Sequence, residues 1–181
     1  DGSSGAVQWD WNFGDGVTST AQNPSHTYLG YGTFVVTQVC TSPGNCKDTI
    51  TDTVTVYAIP IVNFSNDTVC VGETTSFIDL SFIPAGSITN WLWDFGDGNT
   101  SAIQSPTHAF STSGTHNVTL TLTSDNNCTN TITIAVIVRP LPLAEFSYVP
   151  GPTVTLLDQV EFTDLSMCGS LGSIVSWDWN L

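Results

Sequence analysis

The sequence predicts an all-β fold made of sandwich modules arranged in tandem. Short runs of β-branched residues are bounded by Gly, Pro, Asn or Asp along the chain, which is the pattern of sandwich strands and their turns. A string that contains two tryptophans recurs at a fixed distance, and a constant internal period marks repeated structural units. No segment is predicted to form a helix.

The repeat is carried by two strings of residues. The first, Trp-x-Trp-Asp/Asn-Phe-Gly-Asp-Gly, occupies residues 9–16, returns at residues 91–98 after a shift of 82 positions, and begins again at Trp177. The second, Asn/Ser-Pro-x-His-x-Tyr/Phe, occupies residues 23–28 and returns at residues 105–110 with the same shift. Because both strings keep one register, they indicate a single module that is repeated.

Three modules follow from this register. We place a partial module that lacks its first strands at residues 1–59, a complete module at 60–141, and a partial module that lacks its later strands at 142–181. Pro60 and Pro140 lie near the two boundaries, and because proline fixes φ and cannot extend a strand ladder, the junctions are predicted to be short and stiff. The two open modules predict a segment of a longer array. The alternative is a head-to-tail polymer, in which residues 142–181 of one copy complete residues 1–59 of another.

Six strands are predicted in the complete module, and the alternation of apolar and polar residues identifies the side that each strand buries. Burying one large apolar side chain contributes about 1.5–3 kcal/mol, so these sides together suffice for one core. The strands are predicted near residues 63–65, 74–80, 88–95, 107–110, 115–123 and 130–138. The residues predicted to be buried are Trp91, Trp93, Phe95, Val118, Leu120, Leu122, Ile132, Ile134, Val136 and Val138.

The charge of the chain excludes two classes of partner. Two basic and 16 acidic side chains give a net charge of −14, which repels nucleic-acid phosphates and anionic lipid headgroups. No apolar run reaches the roughly 20 residues that a membrane helix needs, and residues 1–5 do not form a signal peptide. We therefore expect no nucleic-acid binding and no direct membrane insertion, and any export signal would lie outside this segment.

The cysteines indicate an oxidising, extracellular location. Five are present, and none has the CxxC or Cys/His spacing of a zinc site, which leaves disulfides or buried thiols. Cys40 and Cys46 flank a turn-rich loop between two strand-like runs and are predicted to form one disulfide. Cys70 and Cys128 are predicted as a second pair. The odd count leaves at least one thiol free or paired outside the chain.

The two strings resemble the PKD domain, named from polycystic kidney disease protein. The resemblance also includes a Gly-Thr pair before an alternating strand, and it covers essentially the whole chain. It implies an immunoglobulin-like sandwich in each module and a spacer or interaction role in an extracellular protein. Tandem copies that are rich in Thr and Asn and carry cysteines look most like the arrays in giant surface adhesins of gliding bacteria, of the SprB type. The first copy departs from the pattern at Gln38 and Asp52, where the second has Leu120 and Ile134, so its core is expected to be looser or wetter.

The Phe-Gly-Asp-Gly turn is predicted to be structural. Glycine adopts positive φ without strain, and an aspartate between two glycines accepts hydrogen bonds from turn amides. A calcium site at Asp94 and Asp97 is the alternative, because carboxylates are hard oxygen ligands. The tryptophans are predicted to lie in the core, with a sugar-stacking face as the alternative. The structural signature of the module comprises Trp93, Phe95, Gly96, Asp97, Gly98 and His108.

No catalytic residue is predicted. His26 and His108 recur at one position, as expected of histidines that hydrogen-bond a turn. The sequence has no Gly-x-Ser-x-Gly, reactive Cys/His pair or His-Glu-x-x-His. The first copy also lacks one carboxylate of a glycosidase-like pair, because Asn12 stands in the place of Asp94. The chain is predicted not to be an enzyme and to need no cofactor, with calcium as the one open alternative.

Three threonines are candidates for O-glycosylation. Thr49, Thr53 and Thr68 each lie between an aspartate and an apolar residue, which is similar to the acceptor triplet used by bacteria of the gliding type. The alternative is that threonine is frequent here because of its high β-propensity.

Two functions remain open. The leading hypothesis is a non-catalytic structural or adhesive array, the spacer or filament stalk of a large cell-surface adhesin involved in cell adhesion or gliding motility. Its partners would be other modules of the same long chain, with glycans or surface proteins as further candidates. The alternative is a carbohydrate- or protein-binding accessory segment of a secreted hydrolase.

Overall fold

A computed structural model describes residues 5–149, 155, 159–169 and 173–180 of the chain. The ends of the predicted outer modules, residues 1–4 and 181, lie outside these ranges, as do parts of the third module. The described residues form antiparallel strand pairs and contain no helix, which confirms the all-β prediction. Within these ranges there is accordingly no helix long and apolar enough to cross a membrane.

The first module contributes one four-stranded sheet with the order β2-β1-β3-β4. All residues of β4 except Val56 are exposed, so no other described element covers this strand. Alternating threonines and apolar residues favour the extended conformation of β3 and β4. The strands are β1 (Gln8–Asn12), β2 (Thr18–Ser19), β3 (Gly32–Thr41) and β4 (Lys47–Val56).

The second module is a sandwich of two sheets. One sheet has the order β5-β6-β9, and the other has the order β11-β10-β7-β8. Six of its seven strands lie where the sequence places them, and only the two-residue strand β8 was not predicted. The strands are β5 (Phe64–Asn66), β6 (Thr74–Asp79), β7 (Ile88–Asp94), β8 (Thr100–Ser101), β9 (Thr107–Ala109), β10 (Gly114–Ser124) and β11 (Thr129–Val138).

The core lies between the two sheets of the second module. From Val118 to Ser124, alternate residues of β10 point inward and are fully buried, as the period of two requires. Trp91 of β7 and Ile132 and Ile134 of β11, all predicted to be buried, are only partly buried and pack at the margin of the core rather than inside it. The buried cluster consists of Val62, Phe64, Phe77, Trp93, Phe95, Phe110, Val118, Leu120, Leu122, Val136 and Val138.

The third module is represented by a hairpin of β12 (Phe146–Val149) and β13 (Glu161–Asp164). Trp179 packs beside it, with ring centroids 5.7 Å from Phe146 and 6.0 Å from Phe162. These aromatic residues form a cluster equivalent to the one that Trp93 forms with Phe64 and Phe77 in the second module. Trp179 is nevertheless 42% exposed, because no described strand covers the other side of the cluster.

Both proline junctions are tied to the second module. Pro60 is fully buried, and its carbonyl accepts a hydrogen bond of 2.8 Å from the Asn130 side chain at the start of β11. At the other end, Arg139 forms a parallel bridge with Cys70. These contacts hold the chain on each side of the sandwich where it enters and leaves the module.

Candidate functional site

The tight turn after β7 requires glycine at position 96. Gly96 has a φ of +76°, a region that side chains disfavour. A Cβ atom at this position would lie 2.6 Å from the backbone oxygen of Asn117 on β10. The carboxylate of Asp94 accepts a 2.9 Å hydrogen bond from the Gly96 amide. A hydrogen bond within the turn therefore stabilises it, and the turn packs directly against β10.

Asp97 follows in this turn, and hydrogen bonds occupy both of its carboxylate oxygens. Oδ1 accepts hydrogen bonds from the backbone and side-chain nitrogens of Asn99, at 3.0 and 3.1 Å. Oδ2 lies 2.7 Å from Nε2 of His108. Because an ionised carboxylate can only accept, His108 Nε2 donates in this contact.

The same contacts set the protonation of Asp97. Burial by itself would raise the pKa of Asp97, but the hydrogen bonds from His108 and Asn99 outweigh burial and hold this pKa below its ordinary value of 3.8. Asp97 therefore stays ionised at neutral pH. A carboxylate with a lowered pKa and three N–H donors is a poor general acid.

His108 is held by aromatic rings as well as by Asp97. Its imidazole stacks on Phe95, with centroids 4.1 Å apart and planes 8° apart, and meets the edge of Phe110 at 4.7 Å. The side chains of Asp97 and His108 are each only 14% exposed to solvent. The imidazole thus covers one end of the core and links the turn after β7 to β9, the strand that contains His108.

The first module repeats this arrangement. His26 Nε2 lies 2.7 Å from Asp15 Oδ2, and the His26 ring stacks on Phe13 at 4.2 Å. Asn12 stands where the second module has an aspartate, and its side-chain oxygen accepts the equivalent 2.9 Å bond from Gly14. An amide oxygen replaces the carboxylate without altering the turn, so no negative charge is needed at this position.

The tryptophans of the signature string serve the fold. Trp93 is completely buried, and its indole N–H donates to the backbone oxygen of Ile103 at 2.9 Å. The equivalent Trp11 donates to the backbone oxygen of Ala21 at 3.1 Å. A buried indole satisfied by a backbone carbonyl cannot stack on a sugar, so Trp93 occupies a core position, as the sequence predicts. Trp11 makes the equivalent hydrogen bond but is only partly buried.

A second polar cluster was missed by sequence reasoning. Asp79 Oδ2 accepts hydrogen bonds from the indole of Trp91 at 2.7 Å and from the side chain of Gln104 at 3.1 Å. Burial opposes ionisation here too, but hydrogen bonds from Ser81, Trp91 and Gln104 lower the pKa of Asp79. The signal was present in the sequence, because Phe-x-Asp-Leu-Ser occurs at residues 77–81 and again at 162–166.

The third module contains this cluster as well. Asp164 Oδ2 accepts a 2.6 Å hydrogen bond from the indole of Trp177, and its Oδ1 accepts one of 3.0 Å from the Ser166 amide. The hydrogen bonds from Ser166 are the main reason that the pKa of Asp164 is lowered. The aspartate therefore links β13 to the tryptophan segment, as Asp79 links β6 to β7.

The two calcium candidates are already used as acceptors. Asp94 is bonded to Gly96, and Asp97 to Asn99 and His108. A cation bound at Asp97 would compete with the N–H donors that both of its oxygens already accept. Within the part of the chain that the structure describes, no three His, Cys, Asp or Glu residues are grouped to hold a metal ion.

The predicted Cys70–Cys128 pairing is wrong. The backbone of Cys70 pairs with that of Arg139 in an isolated β-bridge. Arg139 follows the end of β11, whereas Cys128 precedes the start of that strand. The strand has 10 residues, so at about 3.4 Å per residue the two cysteines are about 35 Å apart. A disulfide joins Cα atoms that are no more than about 7 Å apart.

The predicted Cys40–Cys46 disulfide is not formed in the structure. Cys40 lies opposite Asp48, whereas the backbone of Cys46 accepts a 2.9 Å hydrogen bond from Ser42. The two cysteines are therefore diagonal neighbours, about 7–8 Å apart across the hairpin. The Cys46 thiol is directed to the Gly44 carbonyl at 3.9 Å. All five thiols of the chain are free.

The three candidate acceptors for O-glycosylation are exposed. Thr49 and Thr53 lie on β4, and Thr68 lies in the segment between β5 and β6. The backbone amides of Thr49 and Thr53 donate to the preceding aspartates, at 2.9 and 2.7 Å. O-glycosylation of these exposed threonines stays a prediction.

Comparisons with known proteins agree with the repeat. The family model described as PKD domain matches residues 1–56 and again residues 57–138. Over 72 residues, 39% of this chain, the sequence is 40% identical to a protein named microbial collagenase from Vibrio alginolyticus and covers 9% of it. Over 100 residues, 53% of this chain, it is 34% identical to the pre-pro-metalloprotease PrtV of Vibrio cholerae and covers 10% of it.

A solved structure matches as well. The crystal structure of the PKD1 domain of Vibrio anguillarum Epp is 30% identical to this chain, with a TM-score of 0.43. The match covers 46% of this chain and 96% of that domain. By contrast, the chain spans only about a tenth of the curated relatives that it matches.

Proposed function

Because the chain belongs to the PKD domain family, we propose that it is a non-catalytic accessory segment of a larger secreted protein. In this proposal its modules hold a hydrolytic domain of that protein close to a polymeric substrate. The chemistry resides in the hydrolytic domain, and the modules supply contact and spacing. The proposal places the chain outside the cytoplasm.

The non-catalytic part of the proposal is carried by one observation. The repeated His–Asp pair, which is the candidate for acid–base chemistry that the sequence offers, is fully engaged in local contacts. Both oxygens of Asp97 accept N–H donors, and the His108 ring lies between Phe95 and Phe110. A catalytic pair needs a third group and room for a substrate atom, whereas Phe95 and Phe110 pack against the imidazole and leave the His108 side chain only 14% exposed. The same engagement of Asp97 means that the proposal includes no calcium requirement.

The accessory part of the proposal is supported by the relatives. A collagenase and a metalloprotease share with this chain a segment that makes up only about a tenth of their length. The activity that their names describe then depends on the other nine tenths. By analogy, we place this chain beside a hydrolytic domain in its parent protein.

The stalk of a surface adhesin remains a second candidate. A ladder of threonine pairs runs along the outer side of β10 and β11, with hydroxyl contacts of 2.9 Å between Thr119 and Thr133 and 2.8 Å between Thr121 and Thr131. Such a hydroxyl-bearing surface would keep long arrays soluble, especially if Thr49 and its neighbours carry glycans. Proline junctions would hold successive modules in line.

Sedimentation with insoluble polymers separates the two candidates. The full 181-residue chain would be mixed with insoluble collagen, chitin or cellulose and centrifuged. The accessory function predicts that the chain sediments with at least one polymer and releases no soluble fragments from it. A chain that stays in the supernatant with every polymer, while its circular dichroism retains the β signal, contradicts the accessory function and favours the stalk.

A further inference from the structure

Two cysteines from different modules line one small cavity. Cys70 precedes β6 in the second module, and Cys168 follows β13 in the third. Both line a cavity of about 250 Å³ at the junction of these modules, together with Arg139, Pro140 and Pro142. The junction therefore brings together two thiols that are 98 positions apart in the sequence.

The backbone fixes each cysteine beside this junction. On one side, the Val71 amide donates to Arg139 at 2.8 Å, and the Arg139 amide donates to Val69 at 2.9 Å, so Cys70 is bridged to the end of the module. On the other side, Gly169 lies so close to Pro140 that a Cβ atom there would be 2.6 Å from the proline ring. Each cysteine is thus within one residue of a direct contact with the Arg139-Pro140 junction.

The other three cysteines lie elsewhere. Cys40 and Cys46 belong to the β3–β4 hairpin of the first module, and Cys128 lies at the opposite end of β11 from Arg139. None of the three lines the junction cavity. Cys70 and Cys168 are therefore the two cysteines that the structure places at one site.

We propose that Cys70 and Cys168 form a disulfide that joins the second module to the third. The oxidant is a small-molecule disulfide such as oxidised glutathione, which matches an extracellular setting. The two cysteine thiols lose two protons and two electrons as their S–S bond forms, and the S–S bond of the small molecule is broken to give two small thiols. Both thiols are free in the structure, and both cysteines line the same cavity.

This bond would change the junction mechanically. Pro140 and Pro142 already restrict the backbone of the connecting segment. A disulfide beside these prolines would further restrict rotation of the third module relative to the second. A stiffer junction would keep the two modules extended, which suits both an accessory segment and a stalk.

Mass spectrometry of the oxidised full chain tests the proposal. The reduced chain would be incubated with oxidised glutathione, alkylated, and digested without reduction by a protease that cleaves at aspartate. The expected result is a linked pair of peptides containing Cys70 and Cys168, with the number of alkylated thiols falling from the five of the reduced chain to three. The Cys168→Ser variant should lose the linked pair, whereas the Cys46→Ser control should keep it.

Two outcomes would overturn the proposal. In the first, Cys70 and Cys168 are alkylated after oxidation as readily as Cys46. In the second, either cysteine is recovered mainly in a link to Cys40, Cys46 or Cys128. Neither outcome bears on the accessory function, because polymer binding by the modules is measured separately.

Discussion

The imidazole nitrogen Nε2 of His108 lies 2.7 Å from the carboxylate of Asp97. This contact joins the turn after β7 to strand β9, and the stacking of His108 on Phe95 adds a contact with the core. The first module forms the same contact at the same distance. A residue pair that recurs at the same distance, with the histidine stacked on the equivalent phenylalanine in both modules, is explained by the needs of the fold.

Removing the histidine should destabilise the module. The His108→Ala substitution deletes the donor to Asp97 and the stacking on Phe95, and we expect the free energy of unfolding to fall by about 1–2 kcal/mol. Urea unfolding followed by circular dichroism measures this change. Ser113→Ala, at an exposed loop position, is the control and should leave the free energy unchanged. Equal values for the two variants would exclude a structural role for His108.

The two glycines of the turn should differ in their tolerance to alanine. Both have positive φ, +76° at Gly96 and +93° at Gly98, but only Gly96 faces a backbone oxygen at 2.6 Å. We expect Gly98→Ala to cost about 1–2 kcal/mol from backbone strain and Gly96→Ala at least about 3 kcal/mol, because the clash is added. Thermal unfolding of the two variants tests the difference. If Gly98→Ala is the more damaging, the close approach to Asn117 does not govern this turn.

The buried Gln38 should be a weak point of the first module. Gln38 is only 8% exposed, and its side-chain nitrogen has no hydrogen-bond partner. Replacing it by the leucine found at the equivalent position 120 should raise the free energy of unfolding by about 1–2 kcal/mol. The reverse change, Leu120→Gln, should destabilise the second module by about 3 kcal/mol or more. Calorimetry of both variants measures these effects, and a loss of stability in Gln38→Leu would contradict the interpretation.

Acid should weaken the turn through Asp97. The pKa of Asp97 is lower in the folded chain than its ordinary value of 3.8, so the unfolded chain binds the proton first as pH falls. The contribution of Asp97 to stability is therefore complete above about pH 4 and is lost as the pH drops through the folded pKa. Urea unfolding between about pH 7 and pH 2.5 should show this loss. The Asp97→Asn variant should have a flatter pH dependence below about pH 4, and an unchanged slope would contradict the assignment.

Much of this fold could be predicted from the sequence. The period of two in the strand at 115–123 identified Val118, Leu120 and Leu122 as inward-facing, and all three are completely buried. The recurrence of Trp93 and Gly96 with one spacing located the turn, but not its close approach to Asn117. Gln38 was expected to mark a looser core, and its buried nitrogen indeed lacks a partner.

Contacts between distant segments could not be predicted in the same way. Alternation identifies which side of a strand faces inward but carries no information on which end of the sandwich a residue occupies. Cys70 and Cys128 were therefore paired although they lie at opposite ends of β11. Asp79 lies in a string that recurs at residues 162–166, but its bonds to Trp91 and Gln104 depend on the packing of strands distant in sequence.

The most direct test of the account compares catalysis and stability in the Asp97→Ala variant. The purified full chain and the variant would be assayed for hydrolysis of collagen, chitin and cellulose, and both would be unfolded in urea. We expect no hydrolysis by either protein and a lower free energy of unfolding for the variant. Hydrolysis by the unaltered chain that disappears in a variant of unchanged stability would contradict the claim that these residues build the fold and perform no chemistry.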